Sequence, residues 1–88
     1  MSSPPASGRG WSRPGLPLKV RSLVTLGMLA ALDRPDELKG HINGALNNGA
    51  TPDEIYEVFL QAAVYCGFPA SNNSLRAAVE VFKDRGFL

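Results

Sequence analysis

The sequence has 88 residues, 44% of them hydrophobic, and a formal net charge of +1. A chain of this length forms one small domain, near the size at which a single core is only marginally stable. The charge argues against nucleic-acid binding, which usually shows a basic face or stripe. The lone Cys66 cannot form an internal disulfide, and this favours a reducing compartment. Because no apolar run could span a bilayer and no secretory h-region follows Met1, we expect a cytoplasmic protein with neither a nucleic-acid nor a membrane partner.

The first 17 residues are rich in serine, proline and glycine. Such a segment buries too little apolar surface to offset the entropy lost on ordering. We therefore expect a flexible tail over residues 1–17 and a single helical domain over residues 18–88. Trp11 and Leu16 are the exceptions in the tail, and both could dock on the helices that follow.

The rest of the chain predicts an all-α fold of about four helices, because apolar residues recur at helical spacing and never alternate as in strands. The predicted helices cover residues 18–32, 35 or 36 to about 47, 52–66 and 71–85. Asp33 is a candidate N-cap of the second helix. Thr51 and Glu54 have the spacing of a capping box at the start of the third, while Gly67 and Pro69 are expected to end it.

The apolar residues predict which helix faces are buried. The first helix is apolar almost all round in its second half, and Leu60 and Val64 point away from the main stripe of the third helix. Such surfaces must be covered on more than one side, which the remaining chain is too short to do, so we expect subunit contacts. Cys66 falls on the buried stripe of the third helix and is predicted to be a small buried residue rather than a reactive thiol.

The fourth helix is predicted to have a conventional amphipathic pattern. Its inward residues are expected to be Leu75, Ala78, Val79 and Phe82. Arg76 and Glu80 are four residues apart, and we expect them to form a solvated ion pair on the outer face.

His41 and Glu37 are the best candidates for chemistry. Residues four apart share one helical face, so the Glu37 carboxylate can hold the His41 imidazole and favour its protonated form. The alternative is a boundary histidine that makes only a structural hydrogen bond. Arg21 could bind a carboxylate, or it could be an ordinary solvated arginine. Because no second histidine or cysteine pair is present, we predict neither a metal site nor a bound cofactor.

Six short motifs occur in a defined order along the chain. They are RPGL, RSLVTL, the ExxxH of the second helix, ALNNG, the T-x-x-E-I-x-E that begins the third helix, and the YxGxPA that closes it. In this order and spacing, the segment from Trp11 to Arg85 resembles the γ-carboxymuconolactone decarboxylase family. The resemblance implies a fold like that of alkyl hydroperoxidase D, assembled as trimers or hexamers with sites near the subunit contacts.

The resemblance also separates two branches of that fold. The thiol peroxidase branch has a glutamate and two cysteines in addition to its histidine. With the histidines in register, those three positions are occupied by Ser22, Arg34 and Glu37, so thiol-based peroxide reduction is excluded. The decarboxylase branch has glutamate and histidine where this chain has Glu37 and His41.

The activity implied by the resemblance is cofactor-free decarboxylation of 4-carboxymuconolactone, or a related small lactone acid, to the β-ketoadipate enol-lactone in aromatic (protocatechuate) catabolism. In this interpretation His41 is the acid, Glu37 orients and charges it, and Arg21 and Ser22 bind the substrate. Decarboxylases of this family normally have further helices before the W-x-RPGL segment. The alternative is therefore a non-catalytic or truncated helical module that assembles with itself or with a full-length paralogue.

Overall fold

The structure is a computed structural model that describes residues 9–88. Its helices are α1 (Arg9–Ser12), α2 (Leu18–Ala31), α3 (Pro35–Asn47), α4 (Pro52–Cys66) and α5 (Phe68–Asp84). Within residues 9–88 there is no strand, and the predicted all-α class is confirmed. Helices α2 to α5 are the four predicted helices, and α1 is one helical turn inside the predicted tail. Residues 1–8 of that tail lie outside the described residues, and its boundary at residue 17 stays a prediction.

Helices α2 to α5 pack around one apolar core. Each helix contributes residues spaced three or four apart, and the largest are Leu26, Leu38, Ile42, Ile55, Phe59, Val81 and Phe82. Two buried serines on α5 also find acceptors, since the Ser71 Oγ donates to the Phe59 carbonyl and the Ser74 Oγ to the Ala70 carbonyl, each at 2.9 Å. The core therefore contains these hydroxyl groups without leaving them unsatisfied.

The predicted capping box at the start of α4 is confirmed. The Glu54 backbone N–H donates to the Thr51 Oγ1 at 3.1 Å, and the Thr51 N–H donates to the Glu54 Oε1 at 2.9 Å. Lys19 of α2 pairs with the other Glu54 oxygen at 2.9 Å. The hydrogen bond from the Lys19 side chain, together with that from the Thr51 backbone N–H, lowers the pKa of the Glu54 carboxyl. The stability that this carboxylate contributes is therefore present above its usual pKa of 4.5 and is lost as the pH falls below it.

Replacing Thr51 with alanine is expected to lower the free energy of unfolding by about 1 kcal/mol, because the Glu54 N–H loses its acceptor. Urea unfolding followed by circular dichroism measures this change. The matched control is Thr51→Ser, which retains the hydroxyl and should stay within a few tenths of a kcal/mol of the parent. An equal loss in both variants would mean that the hydroxyl does not cap the helix.

Two predictions about helix ends are wrong. Asp33 is not the N-cap of α3, because Arg34 occupies that position. Asp33 instead lies in the turn with a φ of 55°, and its Oδ1 accepts a hydrogen bond from the Asn73 Nδ2 of α5 at 3.0 Å. Helix α5 begins at Phe68, three residues earlier than predicted, so Pro69 lies in its first turn. Proline fits there because its fixed φ is helical and the missing N–H is not needed.

Only one residue, Gly67, separates α4 from α5. Its φ of 90° and ψ of 160° fall in a region that is essentially restricted to glycine. The chain can therefore reverse within a single residue, and this is why the same stretch both ends α4 and starts α5. A side chain at Gly67 would force a strained backbone.

Three predictions about side-chain environment are also wrong. Cys66 is exposed, because it is the last residue of α4 and the chain turns away directly after it. Val79 is exposed as well, because the buried face of α5 is centred on Ala78 and Val81. Glu80 of α5 pairs with Lys39 of α3 rather than with Arg76. This ion pair therefore connects two helices, whereas the predicted pair would have connected two turns of α5.

The predicted exposure of apolar side chains on α2 and α4 is confirmed. Val24 and Met28 of α2, and Leu32 directly after it, are four residues apart and leave much of their surface uncovered, 60% in the case of Met28. Leu60 and Val64 do the same on α4. None of the helices in the described part of the chain is both long enough and apolar enough to cross a bilayer.

Candidate active site

A groove of about 410 Å³ lies along α2 and α3. Its polar lining residues are Arg21 and Thr25 of α2 and Glu37 and His41 of α3, and its apolar lining is Trp11, Leu16, Val24, Met28 and Leu29. The segment around α1 supplies Trp11 and Leu16, in agreement with the expectation that these two residues dock on the helices. The groove therefore brings three of the four predicted site residues together.

The positions of these side chains follow from the core of each helix. On α3, Leu38 and Ile42 are fully buried, and Glu37 and His41 directly precede them. A residue that precedes a buried one is turned by about 100° around the helix, which places it at the edge of the packed face. On α2, Arg21 precedes the buried Ser22 in the same way. The groove is thus formed by the edges of two helices that pack against each other.

Glu37 is paired with Arg34 rather than with His41. The Arg34 Nη1 donates to the Glu37 Oε1 at 3.0 Å, and within residues 9–88 the His41 imidazole makes no hydrogen bond. The two side chains of this ion pair are 59% and 56% exposed. Exposed pairs of this kind add little to stability and exchange readily. The sequence pattern did not lead us to Arg34 as the partner of Glu37. The spacing of three residues between them could have indicated it, because oppositely charged residues at this spacing can pair on one face of a helix.

Arg21 is half-buried, and its guanidinium is only partly satisfied. The Nη2 donates to the Arg13 carbonyl at 3.1 Å, and this bond ties the segment before α2 to the groove. The Nε is shielded from solvent and has no hydrogen-bond partner within the described residues. A shielded N–H without an acceptor is unfavourable. Arg21 also lines the groove, and a guanidinium in such a position can bind an anion.

Ser22 does not line the groove. It is only 3% exposed, and its Oγ accepts a hydrogen bond from the Asn48 Nδ2 at 2.9 Å. The Ser22 hydroxyl therefore joins α2 to the C-terminal end of α3 on the core side. It supports the pair of helices that form the groove, and its own oxygen is not presented to a ligand there.

The groove combines one guanidinium, one carboxylate and one imidazole with an apolar wall. Such a set can bind a small anion, and an imidazole at the rim can transfer a proton near neutral pH. No three side chains of His, Cys, Asp or Glu come together within residues 9–88 in a way that could hold a metal ion. A larger groove of about 850 Å³ between α3 and α5 contains charges of both signs, including the paired Lys39 and Glu80, but neither histidine nor cysteine.

Comparison with known proteins identifies the family. The profile described as "Carboxymuconolactone decarboxylase family" matches residues 6–80. The chain is 53% identical to 4-carboxymuconolactone decarboxylase from Acinetobacter baylyi over 81 residues, covering 92% of this chain and 60% of that protein. It is 44% identical to nitrosuccinic acid decarboxylase from Metarhizium robertsii over 79 residues, covering 90% of this chain and 55% of that protein.

A third relative is an uncharacterized 15.0 kDa protein from Paracoccus denitrificans, 35% identical over 80 residues, covering 88% of this chain and 59% of that protein. The chain therefore spans between 55% and 60% of the length of these three relatives. The profile and the relatives each match most of its residues. This chain belongs to the carboxymuconolactone decarboxylase family.

Proposed function

We propose that this chain is a decarboxylase that acts on 4-carboxymuconolactone or a related small lactone acid and forms the β-ketoadipate enol-lactone. The observation that supports this most is that Arg21, Glu37 and His41 line one groove in a chain that is 53% identical to a 4-carboxymuconolactone decarboxylase. The identity alone suggests the reaction class, and the groove suggests where the reaction takes place.

Two of the relatives are named for the decarboxylation of 4-carboxymuconolactone and of nitrosuccinic acid. The chemistry of these two acids explains why a groove with few functional side chains is enough for decarboxylation. In 4-carboxymuconolactone, breaking the bond to the γ-carboxylate releases CO2. The electron pair left on carbon is then delocalised through the ring onto the lactone carbonyl oxygen. In nitrosuccinic acid the nitro group can accept the pair in the same way. The substrate therefore contains its own electron sink, and the protein has to stabilise the developing oxyanion, hold the remaining carboxylate and deliver a proton to carbon.

Each of these tasks has a candidate residue in the groove. Protonated His41 delivers the proton to the ring carbon, and Glu37 orients and charges His41. Arg21, which lines the groove, binds the oxyanion or a carboxylate. Ser22 acts indirectly in this proposal, because its hydroxyl holds α2 against the end of α3. In the proposed assembly, the wall of Trp11, Met28 and their apolar neighbours excludes water and strengthens these electrostatic interactions.

Assembly as a homo-oligomer, a trimer or hexamer, belongs to the same proposal, as do a cytoplasmic location and a role in protocatechuate catabolism. The uncovered apolar side chains of α2 and α4, among them Met28 and Val64, support the assembly. Val24 and Met28 also line the groove, so a second copy that covers them would help to close the site.

The alternative is a non-catalytic helical module that assembles with itself or with a full-length paralogue. The observation that favours it is the span of the chain, which is 55–60% of the length of its relatives. If the remaining part of such a relative closes the groove, this chain would be active only in a mixed assembly.

An ultraviolet or CO2-release assay on 4-carboxymuconolactone, combined with light scattering, tests both proposals. Turnover by the purified chain in an oligomeric form is the expected result. Activity that appears only after a full-length paralogue is added would favour the helical module. A monomer without turnover in either setting would overturn the proposed decarboxylase.

A further inference from the structure

Glu37 lines two cavities. One is the groove that contains Arg21 and His41, and the other is a shallow pocket of about 240 Å³ lined by residues 33–37. Arg34 lines only the shallow pocket, and its Nη1 donates to the Glu37 Oε1 at 3.0 Å. Because Glu37 lines both cavities, a ligand carboxylate that took its place on Arg34 would lie next to the groove, on the same face of α3 as His41.

We propose that Arg34 binds the carboxylate that the substrate retains, by exchanging it for Glu37. This inference rests on the proposed decarboxylase function. When the substrate enters, its carboxylate replaces that of Glu37 on the Arg34 guanidinium. The released Glu37 side chain turns along the helix to His41, four residues further on, and hydrogen-bonds the imidazole.

The exchange turns one ion pair into two, and the second pair requires that the His41 imidazole takes up a proton. Before binding, Glu37 is paired with Arg34, and His41 makes no hydrogen bond within residues 9–88. After binding, Arg34 is paired with the substrate and Glu37 with protonated His41, so each carboxylate retains a cationic partner. The pair that has to break is more than half exposed on both sides, and such pairs are weak. Substrate binding on Arg34 therefore favours the His41–Glu37 pair.

The chemistry of decarboxylation indicates which carboxylate Arg34 should hold. The departing carboxylate loses its charge in the transition state, so a cation placed on it would stabilise the ground state and slow the reaction. The retained carboxylate keeps its charge throughout and can be held firmly by an arginine fork. Arg21, which lines the groove, then faces the oxygen on which charge develops. In 4-carboxymuconolactone and in nitrosuccinic acid two carbons separate the retained carboxylate from the departing one, as in succinate, so succinate is a suitable test ligand.

Titration with succinate and its uncharged diamide succinamide, followed by NMR, tests the exchange independently of turnover. The parent protein should bind succinate more tightly than succinamide. Arg34→Gln should weaken succinate binding by about tenfold and reduce the preference for succinate, because one charge-assisted fork is lost. Arg34→Lys should recover part of the affinity, since it restores the charge without the fork. The matched control is Arg76→Gln on α5, which removes the same charge outside both cavities and should leave binding unchanged.

Glu37→Gln provides the sharper test. It removes the competitor for Arg34, so succinate should bind about two- to fivefold more tightly even though turnover falls. Asp36→Asn removes an equal charge from the neighbouring residue, which does not bond Arg34, and should have a smaller effect. In the double variant Arg34→Gln/Glu37→Gln the tightening should vanish. The inference is overturned if Glu37→Gln fails to tighten binding, or if Arg34→Gln changes it no more than Arg76→Gln does.

Kinetics separates this inference from the function on which it rests. If the parent protein decarboxylates the lactone acid, Arg34→Gln should raise KM by about tenfold and change kcat far less. A large fall in kcat at unchanged KM would mean that Arg34 only positions Glu37. If the parent protein has no activity, the proposed function fails, while the succinate titrations still decide whether Arg34 exchanges its partner.

Discussion

Replacing His41 with alanine is expected to lower kcat for CO2 release by about 10²- to 10⁴-fold, the usual effect of losing a general acid. The expected loss is large because proton transfer is assigned to His41 alone among the described residues that line the groove. In the proposed mechanism Glu37 orients the imidazole and Arg21 binds the anionic group, so neither takes over this step. Steady-state rates on 4-carboxymuconolactone measure the change directly.

The position of His41 makes this test clean. The side chain is exposed and makes no hydrogen bond within residues 9–88, so its removal should change the free energy of unfolding by less than about 0.5 kcal/mol. Circular dichroism should show the same helical content as the parent. His41→Gln keeps a hydrogen-bonding group but cannot transfer a proton, and should be as inactive as the alanine variant. Gln61→Ala, an exposed change on α4 outside the groove, should retain full activity.

Retained turnover in His41→Ala would remove His41 from the mechanism. Activity in His41→Gln but not in His41→Ala would assign the imidazole a binding role instead of proton transfer. Either result would leave the family membership intact, since that depends on the match over residues 6–80 and not on the assigned role.

Local patterns in the sequence predicted the fold well. Helical periodicity depends on contacts between residues three and four apart, and the four long helices were found at nearly their observed bounds. The capping box of Thr51 and Glu54 was also predictable, because both hydrogen bonds lie within one turn. The end of α4 was harder, since a proline such as Pro69 can either terminate one helix or begin the next. Only the backbone angles of Gly67 decide between the two.

Side-chain environments were less predictable because they depend on distant parts of the chain. Cys66 has the spacing of a buried residue, yet no other helix covers the end of α4 at that point. The same limit applies to the site. The shared face of Glu37 and His41 follows from their spacing, but the pairing of Glu37 with Arg34 depends on rotamers. The approach of Arg21 to the groove depends on how α2 packs against α3, which no local pattern encodes.

Replacing Phe59 with alanine is expected to lower the free energy of unfolding by about 3–5 kcal/mol. Phe59 is fully buried at the centre of α4, and Ser71 of α5 donates to its carbonyl, so a cavity there affects two helices at once. A domain of this size has a total stability of about 4–13 kcal/mol, so this loss is between about a quarter of the stability and all of it.

Urea unfolding at one fixed protein concentration measures this effect, because association would itself add stability that depends on concentration. Tyr65→Ala is the matched control, since it removes a larger ring from the same helix at a position that is 83% exposed. It should change stability by about 0.5 kcal/mol or less. Phe59→Leu should fall between the two, because it leaves a smaller cavity. Equal losses for Phe59→Ala and Tyr65→Ala would mean that contacts outside this four-helix core dominate stability.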